Sequence, residues 1–321
     1  MSGPPKPPAQ QPPPKTKTTV LLTGCSEGGI GFALAQEYRR RGCHVIATAR
    51  NPAKMQALLC QQPGRDADLT LLPLDVADPT SIEGAVQAVT DLLAAAKDGC
   101  SSLDILVNNA GGGYQAPLLD ADLDEARRLF DVNVWGVLAV TQAFAPLLVA
   151  SASAGRRPRV VNIGSVVGVV PIPWQGIYNA SKGALAGIND TMRLEFRPLG
   201  IDVVHIVTGG IATKFFDNAA ATKLPRDSLY TPIAADIERN TDGTRARETQ
   251  GCSVEDYARR VVAQTLRANP PTSVWKGTMS TIVWLASRFG WDWINDKIIE
   301  WLWGMGPLRA KFKAATSKKE S

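Results

Sequence analysis

Histidine is almost missing from this sequence: His44 and His205 are the only two in 321 residues. His44 opens the strand-like "HVIATA" and His205 lies inside the apolar "IDVVHIV", where structural roles are expected. That scarcity decides how "GCSEG", Gly24 to Gly28, is read. The pattern G-x-S-x-G can present Ser26 as a hydrolase nucleophile, but such a serine needs an acid and a histidine after it. Structural roles suit both histidines better than that task, so hydrolysis is disfavoured and a dinucleotide-binding loop is expected. The five cysteines, Cys25, Cys43, Cys60, Cys100 and Cys252, are odd in number and lack metal-ligand spacing. Free thiols in a reducing compartment follow, and no metal site is expected.

No apolar run occurs in "MSGPPKPPAQQPPPKTK", so residues 1–17 read as a disordered, proline-rich leader and not as a secretory signal. A basic face is missing too. The net charge of +5 divides into about +7 on the two tails and about −2 on the body. Nucleic-acid binding is therefore not expected, whereas basic tails suit an anionic membrane surface.

What is present is an alternation. "TTVLLT", "HVIATA", "LTLLPLD", "DILVNNAG", "RVVNIGS" and "IDVVHIV" read as strands, separated by helical stretches. Near-continuous apolar strands between helices predict an α/β fold, a doubly wound parallel sheet in a Rossmann-type three-layer arrangement. Ligands in such folds sit at the carboxyl ends of the strands. The expected organisation is a reductase domain over 18–276 and a C-terminal segment over 277–321. At about 212–252 the periodicity fails, and this polar stretch reads either as a substrate lid or as a surface insertion.

The chemistry-bearing residues gather at those strand ends. Tyr178 and Lys182 are four apart in a helical stretch, so they share one face. A nearby ammonium favours tyrosinate and would lower the phenol pKa, suiting it to proton transfer. Ser165 ends a strand thirteen residues earlier and could hold the same substrate oxygen. Asn133 is a polar residue in an apolar helix, either a satisfied core amide or part of the site. "NNAG", Asn108 to Gly111, offers small residues for close approach of a cofactor.

Together with the loop "TGCSEGGIG", these residues resemble the short-chain dehydrogenase/reductase family in its Tyr-x-x-x-Lys form. The resemblance spans about residues 18–213 and implies Tyr178 as general acid, Ser165 as carbonyl holder and Lys182 as ribose contact. It implies Asn133 on a water-linked proton path to Lys182. It also implies a dinucleotide held by Gly24, Ser26, Gly29, Ile30, Gly31, Asp75, Asn109, Tyr178, Lys182, Ile211 and Thr213. The glycine loop holds one residue more than the family pattern. "TGGIAT", Thr208 to Thr213, has Thr208 where the family usually has proline.

An NAD-specific enzyme would carry an acid after the second strand, but here that strand delivers Arg50, which suits a 2′-phosphate. NADPH, and hence carbonyl reduction, is expected. Six of the eight tryptophans lie between Trp275 and Trp303. Asp292, Asp296 and Glu300 form a polar stripe with Trp291, Ile294, Ile298 and Trp301 largely opposite, as in an amphipathic helix resting at a membrane surface. A homodimer interface, or packing on the lid, are the alternatives. Glycine loop, "TGGIAT" and aromatic extension together look like the fungal and yeast 1-acyldihydroxyacetone-phosphate reductases. That resemblance implies a lipid-like ketone substrate and a peripheral place on the cytosolic face of endoplasmic reticulum or on lipid droplets, with the cytoplasm as alternative. Lys214, Lys223 and Arg226 could meet a substrate phosphate or be ordinary solvated charges. Ketones of steroid, retinoid or secondary-metabolite type, or a non-catalytic NADPH-binding scaffold, are the other readings.

Overall fold

The computed structural model describes residues 17–60, 68–96, 102–213, 223–241 and 251–317. The leader up to residue 16, Lys214, and the lid stretches 214–222 and 242–250 lie outside them.

Short runs of β-branched and aliphatic residues become strands because both of their faces can be buried. β1 (Thr19–Leu22), β2 (His44–Ala49), β3 (Leu69–Pro73), β4 (Ile105–Asn108), β5 (Arg159–Ile163), β6 (Asp202–Thr208) and β7 (Ser273–Lys276) form one parallel sheet. Their spatial order is β3-β2-β1-β4-β5-β6-β7. The order reverses between β1 and β4, and this opens a crevice at their carboxyl ends. β7 was not anticipated: "SVWK" is four residues long, follows two prolines and pairs only with β6, at the sheet edge.

Helices cover both faces. On one, α1 (Ile30–Arg40) packs through Phe32, Leu34 and Tyr38, and α8 (Val254–Thr265) through Tyr257, Val261 and Val262. On the other, α3 (Pro79–Ala95), α5 (Gly136–Ser153) and α6 (Gly176–Glu195) supply Val89, Phe144, Leu148 and Met192. Start signals are local. Asp78 caps α3 by accepting from Thr80 N–H, with Pro79 in the first turn, and Ser253 caps α8 by accepting from Asp256 N–H. α4 (Leu123–Phe130) runs through a π-helical turn, Asp131–Trp135, into α5. This continuous run, Leu123–Ser153, is long and apolar enough to cross a membrane by length and composition. Its residues Val140, Phe144 and Leu148 are wholly buried against the sheet, as in a core helix.

Part of the 212–252 stretch has regular structure, a 3₁₀ turn at Thr231–Ile233 leading into α7 (Ala234–Thr241). The C-terminal extension is helical as expected and is built of three helices, α9 (Ser280–Phe289), α10 (Asp292–Leu302), which carries the amphipathic stripe, and α11 (Met305–Ser317). They are divided at Gly290 and at Gly304, whose φ of 63° few other residues would adopt. α11 packs Leu308 against Ile233 and Ile237 of the lid, and Lys311 pairs with Asp236 at 2.8 Å. Thus the end of the extension rests on residues 233–237, while α9 and α10 leave Phe289 and Trp301 76% and 80% exposed.

Candidate active site

Gly24 and Gly31 are required in the glycine loop because the chain around them leaves no room for side chains. A Cβ on Gly31 would lie 2.4 Å from both Asn109 Nδ2 and Gly24 O, and one on Gly24 would meet Ala110 Cα at 2.7 Å. Asn109 Nδ2 donates to the carbonyls of Thr23 and Gly24, both at 2.9 Å. Thr23 Oγ1 accepts from the N–H groups of Asn109 and Ala110, both at 3.0 Å. The residue additional to the family pattern is absorbed by a turn in which Gly29 N–H donates to Ser26 O at 3.1 Å and Gly28 has φ 79°. Gly29 starts α1 without a side-chain cap, so the first-turn N–H groups of Ile30 and its neighbours keep the anion-binding character of a helix N-terminus. Cys25, wholly buried in this loop, has its thiol pushed up to about 12 by burial.

Arg50 is exposed just beyond β2. Glu27 N–H donates to Lys54 O at 2.9 Å, so the backbone of the exposed Lys54 lies beside the loop. Lys54 escaped the sequence reading because its place in "RNPAK" has no periodic signal. Asp75 is half-buried and caps its own turn, accepting from Ala77 N–H at 3.1 Å.

Tyr178 and Lys182 lie in the first turns of α6, with Lys182 Nζ 6.0 Å from the centre of the Tyr178 ring. Burial pushes the phenol up to about 12, opposed by a hydrogen bond with Ser165. The expected lowering by the ammonium is therefore corrected, because burial dominates. Burial pulls Lys182 down to about 8, and its Nζ donates to Ile163 O at 3.2 Å. Ser165 follows β5 and caps a 3₁₀ turn, accepting from Val167 N–H at 3.3 Å. Asn133 is fully buried in the π-helical turn. It donates to Gly112 O and Ser181 Oγ, both at 3.0 Å, and accepts from Gly112 N–H at 2.9 Å. Asn133 is thus a satisfied core amide that ties the end of β4 to α6. A Cβ on Gly111 would lie 3.1 Å from Asn133 Oδ1 and 3.6 Å from Lys182 Nζ, so the two groups flank that glycine.

His205 adjoins this site without the means to act as a base. Burial pulls it down to about 4, and its Nε2 lies 2.1 Å from where a Cβ on Gly164 would stand. The hydrolase alternative finds no support here.

"TGGIAT" is secured by contacts that replace the family's proline. Thr208 Oγ1 and Tyr257 Oη are hydrogen-bonded at 2.7 Å and buried. Gly209 N–H donates to Lys276 O at 2.7 Å, and Gly210 and Thr278 exchange backbone bonds at 3.1 and 3.0 Å. Ile211 bridges to Cys252, and Thr213 is the last residue described before the lid. Tyr257 and Thr278 were not foreseen, because they come from distant elements brought in by β7 and α8.

Replacing Thr208 by valine should leave the Tyr257 hydroxyl buried without a partner and cost about 1–3 kcal/mol. The double variant Thr208→Val/Tyr257→Phe should recover much of that loss in thermal denaturation. Losses that simply add would contradict the pairing.

With this geometry in view, the comparisons with known proteins agree on the family. The profile of the family described as short chain dehydrogenase matches residues 18–224. A short-chain dehydrogenase of Penicillium ochrochloron is 39% identical over 287 residues, covering 88% of this chain and 98% of that protein. The NADPH-dependent 1-acyldihydroxyacetone phosphate reductase of Schizosaccharomyces pombe is 34% identical over 276 residues, covering 82% of this chain and 86% of that protein. A crystal structure of a short-chain dehydrogenase from Streptomyces avermitilis superposes with a TM-score of 0.71 at 25% identity, covering 89% of this chain and 96% of that one. A parallel sheet with its order reversed beside a glycine loop, Tyr178 and Lys182 one turn apart, and these relatives over most of its length make the chain an oxidoreductase of the short-chain dehydrogenase/reductase family.

Proposed function

We propose that the chain reduces an apolar, lipid-like ketone with NADPH, with 1-acyldihydroxyacetone phosphate as the specific candidate and 1-acylglycerol 3-phosphate as its product. The observation that carries this reading is the Ser165–Tyr178 hydrogen bond with Lys182 one turn further on, beside a loop exposing apolar side chains. Leu118 lies against Gly176, two residues before Tyr178, yet is largely exposed, as are Leu119 and Leu123. Such a rim suits a substrate with an apolar chain. The Schizosaccharomyces pombe relative supports the specific ketone by its name, and Lys223 and Arg226 are exposed on the lid, where a phosphate would find cations.

Gly24, Ser26, Gly29, Ile30 and Gly31 would hold the pyrophosphate, Arg50 and Lys54 the 2′-phosphate, Asp75 and Asn109 the adenosine side, and Ile211 and Thr213 the nicotinamide end. When bound, this coenzyme supplies the hydride. Ser165 Oγ and Tyr178 Oη hold the ketone oxygen, and Tyr178 passes its proton to that oxygen as negative charge develops there. Burial serves this step, because it keeps the phenol protonated across the neutral range. Lys182 brings positive charge close to the phenol and to the coenzyme ribose, and Asn133 fixes the facing backbone at Gly112.

We further propose that α9 and α10 rest on an anionic lipid surface. They expose Ile282, Phe289, Trp291, Trp293 and Trp301, and Arg288 is exposed as well. The enzyme would then sit peripherally where amphiphilic ketones collect, on endoplasmic reticulum or lipid droplets.

NADPH consumption across acyl-dihydroxyacetone phosphate, steroid, retinal and simple ketones should favour the first. Tyr178→Phe should lower kcat/KM about 10²–10⁴-fold; equal rates would refute the general acid. The Lys182 ammonium predominates below about 8 and is lost above it, so kcat/KM for reduction should decline as pH rises through that value. Arg50→Asp should abolish the preference for NADPH over NADH, measured as the ratio of kcat/KM values. Phe289→Asp/Trp301→Asp should reduce flotation with anionic liposomes while leaving turnover of a small soluble ketone intact; undiminished flotation would remove the membrane reading.

A further inference from the structure

The described part of the lid, residues 223–241, is fastened to both loops that flank Tyr178. On one side Ser228 Oγ donates to Asp120 Oδ2 at 2.7 Å, next to the exposed Leu118 and Leu119. On the other, the rings of Tyr230 and Trp174 meet edge to face, with centroids 5.5 Å apart and planes at 80°. Trp174 lies in the loop between Ser165 and Tyr178, and that loop is itself pinned to α6, where Asn179 Nδ2 donates to Ile172 O at 2.8 Å. Behind these contacts, Ile233, Ile237 and Leu308 form an apolar cluster against which Trp174, Tyr230 and Phe312 pack.

Trp174 holds this position against two penalties. Its φ is 67°, a left-handed conformation that is strained for a bulky residue. Its indole nitrogen is buried with no hydrogen-bond partner among the described residues. Glycine would incur neither penalty, since it adopts positive φ freely and has no side-chain donor. Strain of this kind persists only where surrounding contacts over-determine the conformation. The loop backbone is held by the bridge of Gln175 to Ala116 and by Asn179, and the Trp174 ring itself is held by Tyr230 and the cluster of Ile233, Ile237 and Leu308.

We propose that Trp174 is a specificity-determining positioning residue: its contact with Tyr230 latches the lid beside the catalytic loop and sets the preference for ketones with a bulky apolar chain. A small ketone needs only Ser165 and Tyr178. A long apolar chain must also be enclosed between the lid, which exposes Leu229, and the rim of Leu118, Leu119 and Leu123, so its binding depends on the latch. The inference rests on the reductase reading above.

The test compares Trp174→Gly, which suits the backbone, with Trp174→Phe, which keeps an aromatic edge, in the full chain with NADPH. For a long-chain ketone, Trp174→Gly should raise KM about tenfold, equivalent to ~1.4 kcal/mol, within reach of an aromatic pair. kcat, the KM for a small ketone and the Kd for NADPH should stay within about twofold, and Trp174→Phe should restore most of the selectivity. Equal losses for both ketones, weakened NADPH binding, or unchanged selectivity would each overturn the proposal. Should Trp174→Gly not fold, Tyr230→Leu removes the latch from the other side, with the same selectivity loss expected and its absence decisive against the idea. Should the wild type consume NADPH with no ketone, the reductase reading fails by itself. The latch is then judged by tryptic cleavage after Lys223, Arg226 and Arg239: faster cleavage in Trp174→Gly supports it, and unchanged cleavage overturns it.

Discussion

The turn after β1 and the end of β4 are held together by hydrogen bonds from Asn109 and Thr23 and by the missing side chains of Gly24 and Gly31. This close approach defines the crevice of the reversed sheet. It brings the N-terminus of α1 level with the end of β4, and thereby level with Gly111, which Asn133 and Lys182 flank. A methyl group at either glycine would drive the two segments apart. The rest of the site inherits its position from that contact, because Ser165 follows β5, which pairs with β4, and Tyr178 lies in α6, which Asn133 ties to the loop after β4.

Burial decides the acid–base character of the site more than proximity of charge does. The phenol of Tyr178 is raised, the ammonium of Lys182 is lowered and the imidazole of His205 is lowered, each in the direction that desolvation dictates. The consequence for Tyr178 is a firmly bound proton at neutral pH. A proton donor for a developing alkoxide benefits from that, since the alkoxide is far more basic than the phenolate. Ser165 works in the other direction by stabilising the phenolate once the proton has gone. His205 stays neutral and serves as a packing surface beneath Gly164.

The central sheet was legible in the sequence because six of its strands are unbroken apolar runs ending at chemically distinctive residues. β7 was not, since "SVWK" is too short to declare itself and takes its pairing wholly from β6. The spacing of Tyr178 and Lys182 was legible for the same reason that a helix has 3.6 residues per turn. What escaped were contacts between distant segments: Thr208 with Tyr257, Asn133 with Ser181, and Trp174 with Tyr230. The C-terminal segment carried a helical apolar pattern over residues 291–301, where a helix stands, whereas the helices before Gly290 and after Gly304 were not resolved as separate elements. An amphipathic pattern also records which side is apolar without recording what covers it. α11 lies on Ile233 and Ile237, whereas α9 and α10 leave their aromatic side chains uncovered.

The sulfur of Cys25 stands inside the glycine loop, one residue beyond Gly24. A thiol held up to about 12 by burial carries almost no thiolate in a cell. Peroxide, alkylating agents and mixed disulfides all react through the thiolate, so the glycine loop contains sulfur without sharing the usual chemical vulnerability of cysteine. Among the described cysteines, oxidative insult would begin instead at the exposed Cys60.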